Sequence, residues 1–451
     1  MLFQQYQFFI FLAVFTPVFC LLKGNARLSW VTLGSLSFYA WWYPPYTVVI
    51  LGFIGMAWLG SAVVRRRPHL LGLTVLIVLL PLIGFKYTHF LLSIVDELTG
   101  ARWSLPSWGL PLGVSFVTFT VLSLIIDSAR RPAFAPPSLL SISVYITFFP
   151  HLLAGPILRA QQMLPQLAGM RIDGARLLPY LALFTVGVVK KVIVADSLSP
   201  YVEQAYSHAA TIGSQQALVG ILAFTFQIYC DFSAYSDMAL ALAGLFGITF
   251  PENFRSPYLA PSMNELWHRW HITLTRWFGD YVFTPLNRRL HLLLAIFLTM
   301  LISGVWHGAA WHFAAWGAYH GLIVTMEHAS GLKRRLRHSR GLLRVVAIMV
   351  TFTLFTLGTP LFRAPSLEVA WAMLTALAGS NGWGAWPDAA PRVLALCAIV
   401  FALHGFDQRD RVLAGAAKVP AWLLVPLALM TIAACSLVVA GRPEAFYYFD
   451  F

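Results

Sequence analysis

The chain has 451 residues, of which 59% are apolar, 15% aromatic and only 11% charged, with 31 Lys and Arg against 18 Asp and Glu. A water-soluble surface draws on about a quarter of charged residues, so this chain takes lipid as its solvent. Soluble domains, disordered chains, collagen, coiled coils and nucleic-acid binders are excluded, and the net charge of +13 reads first as Lys and Arg in cytoplasmic loops.

In chain order, MLFQQYQFFIFLAVF carries neither a basic leader nor a small-x-small cleavage site, so residues 6–22 are expected as a retained first span. Apolar segments follow at 28–44, 46–64, 69–93 and 109–126, then at 138–155, 178–196, 216–230 and 236–250. A long interrupted run at 291–331 precedes the last three, 342–363, 391–405 and 420–440. At about 20 residues per span this predicts an all-α polytopic protein of roughly ten to twelve transmembrane helices, with some segments re-entrant or interfacial. No connection is long enough for a soluble catalytic domain. The chain is therefore expected as a single membrane-embedded domain over 1–451, with N-terminal helices (1–135), a core (136–331) and C-terminal helices (332–451).

Basic clusters at Lys23/Arg27, Arg65–Arg67, Arg130-Arg131, the 333–340 run KRRLRHSR and Arg409/Arg411 are placed in the cytoplasm by the positive-inside rule, and counting spans from them puts both termini outside. Cys20, Cys230, Cys397 and Cys435 lack paired spacing and all lie in apolar stretches, which argues against a disulfide framework or a zinc site.

Three polar features interrupt the apolar runs. Asp231 and Asp237 flank Tyr235 in the segment 229–237, and buried carboxylates either brace the fold through partners or serve function. The segment 261–290 is too charged to cross lipid. Ser262 and Glu265 form a capping-box start, after which Trp267, Trp270, His271, Leu274, Trp277, Phe278 and Tyr281 follow helical spacing on one face, with His268, Arg269, Thr273, Arg276 and Asp280 mostly off it. His271 thus falls on the buried stripe. Finally, Ser303-Gly304-Val305-Trp306-His307-Gly308 interrupts the run 291–331, which as one helix would be about 60 Å long and must bend or turn back, with Gly304 and Gly308 as natural break points. His307 then lies within the bilayer, with His312 and His320 as nearby competitors. A neutral imidazole at that depth is a general base near neutral pH. No nucleophilic Ser or Cys motif accompanies it, which favours direct transfer: His307 takes the proton of an acceptor hydroxyl that attacks an acyl thioester, while His271 bonds the thioester carbonyl or orients the acceptor.

Seven pieces in order, PLGVSFVTFTVLSLIID (111–127), FFPHLLAGPILR (148–159), YCDFSAYSDM (229–238), ENFRSPY (252–258), WHRWHITLTRWFGDYVFTPL (267–286), SGVWHGAAWHFAAWGAYHG (303–321) and the terminal FYYFDF, resemble the membrane-bound O-acyltransferase family, especially its bacterial alginate O-acetyltransferase branch. The resemblance departs at Gly279, where Arg is usual, and at His151 and His312, where Gln and Asn are frequent. It implies helices around a central tunnel, His307 as the catalytic histidine of the Trp-His-Gly and His271 as the second important polar position. Trp306, Trp270, Asp231, Tyr235, Asp237, Asn253, Arg269, Asp280 and Tyr281 become candidates to line or support the tunnel, with no metal. It further implies acetyl-CoA as donor substrate, with no tightly bound cofactor. The acceptor would be an extracytoplasmic polysaccharide, alginate-like exopolysaccharide or another envelope glycan, acetylated directly or through a periplasmic SGNH-type acetyltransferase partner. The expected location is the bacterial cytoplasmic (inner) membrane. Two alternatives stand beside it: D-alanyl transfer from a carrier protein to teichoic acid, and a proton-coupled transporter relaying protons through Asp231, Asp237, His271 and His307.

Overall fold

The computed structural model describes residues 1–100, 103, 108–130, 137–441 and 446–447; Arg131 and the last four residues of the terminal FYYFDF lie outside them. Helices are the regular structure among the described residues. Lipid offers no hydrogen bonds to the backbone, so a spanning segment must satisfy its own N–H and C=O groups, and the helix does that locally. Among the described residues, six helices are long and apolar enough to cross a bilayer: Pro44–Arg66, Pro68–Thr99, Gly174–Ser207, Ser214–Leu245, Gly341–Arg363 and Ala421–Val439. Four shorter apolar helices, Tyr6–Leu21, Leu292–His307, Leu367–Leu377 and Ala390–Leu403, accompany them. The chain is an all-α polytopic membrane protein. The expected segments 216–230 and 236–250 are joined in one helix, Ser214–Leu245, which ends five residues before the second of them does.

The chain forms two compact units: Met1–Thr185 with Tyr235–Pro251 and Val419–Phe451, and Val186–Ala234 with Glu252–Lys418. These interleave in sequence. The first unit is centred on phenylalanines. Phe15 and Phe149 meet Phe246 at ring distances of 5.4 and 5.9 Å, and Phe8 meets Phe38 at 6.0 Å. Tyr235 belongs here, its ring 5.0 Å from that of Phe3, as does the half-buried Asp237.

In the second unit the run 291–331 turns back on itself, as Leu292–His307 and Trp311–Ala329. The break falls at Gly308, which is extended at φ −158°, ψ 150°. A Cβ there would stand 1.9 Å from Phe313 Cε2, so the turn admits only glycine in this packing. Gly304 lets the two arms touch, since its Cβ would lie 2.4 Å from the Phe313 carbonyl oxygen. Backbones this close gain dispersion contacts that lipid cannot replace.

The second unit also buries charge. Lys191 places its ammonium 2.7 Å from Asp231 Oδ1 and 2.8 Å from Asp196 Oδ1. Lys190 donates to Asp407 at 2.9 Å, and the Tyr229 hydroxyl donates to the same carboxylate at 2.6 Å. Each charge would be costly alone at such burial, and each is paired.

Candidate functional site

The segment after Ser262 departs from the single helix its periodicity predicts. Ser262 does cap, accepting from the Glu265 amide at 3.2 Å, but the helix ends at Trp267 and a second one runs Ile272–Phe278. Between them His271 adopts the left-handed conformation, φ 43°, ψ 52°. The cause lies in a preceding loop. The Ile272 amide donates to the Asn253 carbonyl at 2.8 Å, and the Arg255 amide donates to the Arg269 carbonyl at 2.9 Å. The loop 252–258 thereby takes up backbone groups that a continuous helix would pair within itself. A left-handed non-glycine residue costs about 1–2 kcal/mol, which the surrounding bonds must outweigh.

Most of the expected stripe is nonetheless buried: Trp267, Trp270, His271, Leu274, Trp277 and Phe278 all are, while Tyr281 is half-buried and Asp280 exposed. Thr273, expected off the stripe, is buried as well. Its hydroxyl donates to Asn253 Oδ1 at 2.9 Å and its amide to the same oxygen at 3.2 Å. His271 Nδ1 lies 3.2 Å from that oxygen too. The ring also packs edge-on against Phe232 at 4.6 Å. Burial pulls the imidazole down to about 3, so it is neutral near pH 7.

His307 ends the first arm of the hairpin. Its ring stands 4.8 Å from Trp306, 5.2 Å from Trp316 and 5.1 Å from Phe362. His271 and His307, 2% and 5% exposed, line one cavity of about 310 Å³. Trp267, Trp270, Leu274, Phe278, Ile296 and Met300 supply its apolar wall, and Asn264, Thr275, Ser303, His328 and Lys333 its polar points. The exposed His268 forms part of this wall, so the cavity reaches the surface of the unit.

A second cavity, of about 480 Å³, shares Asn264, His268 and Lys333 with the first. Arg255, Arg269 and Arg337 line it as well, with Glu265 and Gln408. Arg269 is bonded to Glu265, one turn earlier. The two cavities thus adjoin at Asn264, His268 and Lys333, one lined by cationic side chains and the other by two imidazoles.

Several sequence candidates stand elsewhere. Among the described residues, the wall of the histidine cavity does not include Asp231, Asn253, Asp280, Tyr281 or Trp306. Asp231 is held by Lys191, and Asn253 stands behind His271 with its Oδ1 3.2 Å from the ring Nδ1. Tyr235 and Asp237 belong to the first unit. His312 bonds the Leu361 carbonyl through Nδ1 at 2.9 Å, and His320 packs edge-on against Trp267 at 5.1 Å. His151 lies in the first unit, 5.6 Å from the Phe250 ring. No group of three or more His, Cys, Asp and Glu side chains among the described residues is placed to hold a metal ion. Glu327 escaped the sequence reading. Buried on the return arm, its carboxylate accepts from the Met263 and Asn264 amides at 2.8 and 2.9 Å, anchoring the start of the segment that carries His271. A lone acid near the end of a forty-residue apolar run was the signal for it.

Helices of membrane-spanning length and an internal cavity bearing two imidazoles define a multi-pass membrane protein with a buried polar site. The chain belongs to the membrane-bound O-acyltransferase family, whose model matches residues 73–356. A probable alginate O-acetylase of Pseudomonas aeruginosa is 35% identical over 392 residues, covering 83% of this chain and 74% of that protein. The peptidoglycan O-acetyltransferase of Helicobacter pylori is 30% identical, covering 83% and 79% respectively. The teichoic acid D-alanyltransferase of Bacillus subtilis is 27% identical over 272 residues, 56% of this chain and 68% of that protein. With the first two, which span most of its length, the chain is an O-acetyltransferase.

Proposed function

We propose that this enzyme takes an acetyl group from an anionic cytoplasmic thioester, acetyl-CoA, and delivers it to hydroxyls of an extracytoplasmic polysaccharide. The polysaccharide is alginate-like or another envelope glycan, reached directly or through a periplasmic acetyltransferase partner. The carrying observation is that the two cavities adjoin: Lys333, Arg255, Arg269 and Arg337 suit the phosphates of the donor, and the smaller, largely apolar cavity beside them suits its thioester arm and acetyl group. In this reading the 333–340 run faces the cytoplasm of a bacterial inner membrane, and both termini face outward.

His307 accepts the proton of the attacking hydroxyl. The oxygen's electron pair forms the new C–O bond at the thioester carbonyl, the C–S bond breaks with its pair leaving on sulfur, and the imidazolium returns its proton to the thiolate. The apolar wall keeps water from competing as acceptor. The test is radiolabelled acetyl-CoA supplied to one side of proteoliposomes and an oligosaccharide to the other, comparing wild type with His307→Ala. Acetylation falling by about 10²–10⁴-fold in the variant supports His307 as the base. Equal acetylation by both removes it from that role.

A further inference from the structure

His271 has two neutral tautomers, and which one it adopts decides what it does to a substrate. In one, Nε2 carries the proton and can donate to a carbonyl oxygen. In the other, Nδ1 carries it and Nε2 offers a lone pair. The choice is usually invisible without hydrogens, but here a backbone group settles it.

The Thr273 amide has only a proton to offer, so the side-chain atom of Asn253 that it meets at 3.2 Å is the carbonyl oxygen and not the NH₂ group. The Thr273 hydroxyl donates to the same atom at 2.9 Å. His271 Nδ1 approaches that oxygen at 3.2 Å. Two lone pairs facing each other at this distance repel, and a proton between them binds. The proton must be on Nδ1, since a carbonyl oxygen has none.

We propose that Asn253 is a positioning residue that holds His271 as the Nδ1–H tautomer, so that Nε2 presents a lone pair to a second hydroxyl of the acceptor glycan, beside the one that gives its proton to His307, rather than a proton to the thioester carbonyl. This rests on the acyl-transfer reading above and decides between the two roles open to His271 there. The left-handed backbone at His271 has the same origin: the Asn253 carbonyl holds the Ile272 amide while its side chain holds the ring, so one residue sets both the place of the imidazole and its protonation pattern. Asn253 is 1% exposed and outside the cavity wall, so it acts through His271 and not on substrate. The arrangement parallels metal-site histidines, whose free nitrogen is defined by the partner of the other one.

The test is ¹⁵N NMR of the full-length protein in nanodiscs with ¹⁵N-labelled histidine, the His271 ring signals being assigned by their loss in His271→Gln. The expected spectrum shows a protonated Nδ1 and an unprotonated Nε2. Asn253→Asp, which keeps an acceptor oxygen facing Nδ1, is expected to keep Nδ1 protonated. Asn253→Leu, which removes it, is expected to mix the tautomers and to raise KM for the glycan by about tenfold or more while leaving KM for acetyl-CoA unchanged. An Nε2–H ring or a doubly protonated one in the wild type overturns the assignment whatever the activity. Should Asn253→Leu not fold, the wild-type and Asn253→Asp spectra still decide. The expected tautomer in a protein that never acetylates a glycan overturns the acceptor role and leaves the tautomer standing.

Discussion

The Lys191 ammonium lies 2.7 Å from Asp231 Oδ1, and both side chains are more than nine-tenths buried. Asp196 stands on the other side of the same ammonium at 2.8 Å, so one cation serves two carboxylates. A buried group of this kind stabilises little over an apolar replacement of the whole set, yet it makes each member costly to remove singly.

Lys191→Met is therefore expected to destabilise the protein by about 3–5 kcal/mol, because it strands Asp231 and Asp196 in a poorly solvating interior. Adding Asp231→Asn to it should recover part of the loss. Thermal unfolding in detergent reads both, and a double variant less stable than the single one would show that Asp231 does more than balance Lys191.

The cationic cavity predicts a donor-specific effect. Arg337→Ala should raise KM for acetyl-CoA by roughly tenfold, the equivalent of about 1.4 kcal/mol, and the effect should shrink at high salt. An acetyl thioester of pantetheine, which lacks the nucleotide phosphates, should show no such change. Equal sensitivity of the two donors would remove Arg337 from phosphate binding.

Gly304→Ala tests the hairpin. The added methyl meets the Phe313 carbonyl oxygen and the Gly317 Cα, both backbone atoms that cannot rotate away. The arms must separate, at a cost of about 1–3 kcal/mol. Because His307 ends the arm that carries Gly304, kcat should fall together with the unfolding temperature. Gly279→Ala, where an added Cβ meets nothing within 4 Å, serves as the control and should leave stability unaltered.

The buried His271 gives stability a pH dependence whose sign follows from linkage. Its value in the folded protein is near 3, whereas in the unfolded chain it is near the ordinary 6.5. Between those two pH values the unfolded state binds the extra proton, so stability falls as the pH drops below about 6.5 and levels off near 3. In His271→Gln the acid-side slope should be shallower. An unchanged slope would mean that the ring takes up its proton equally in the folded and unfolded states.

The solvent of this protein was legible in its composition, and so was the helical class, because twenty-residue apolar runs have no other way to satisfy their backbones in lipid. The bend in the run 291–331 was also legible, since its length exceeds the bilayer and Gly304 and Gly308 offer break points; that it falls at Gly308, where Phe313 leaves no room for a side chain, was not. His307 stood out for the same reason: an imidazole inside an apolar run is conspicuous against its local background.

The conformation of His271 was not readable from its neighbours. Helical spacing counts residues on a local periodicity, and the loop that breaks the helix begins eighteen residues earlier at Asn253. Lys191 and Asp231 are forty positions apart, and Glu327 reaches Met263 across sixty-four. Apolar patterning states which side chains leave water, and that depends on each residue alone. Which polar group meets which depends on the path of the backbone between them, and so the partners of His271, of Asp231 and of Glu327 were decided only when the chain had folded.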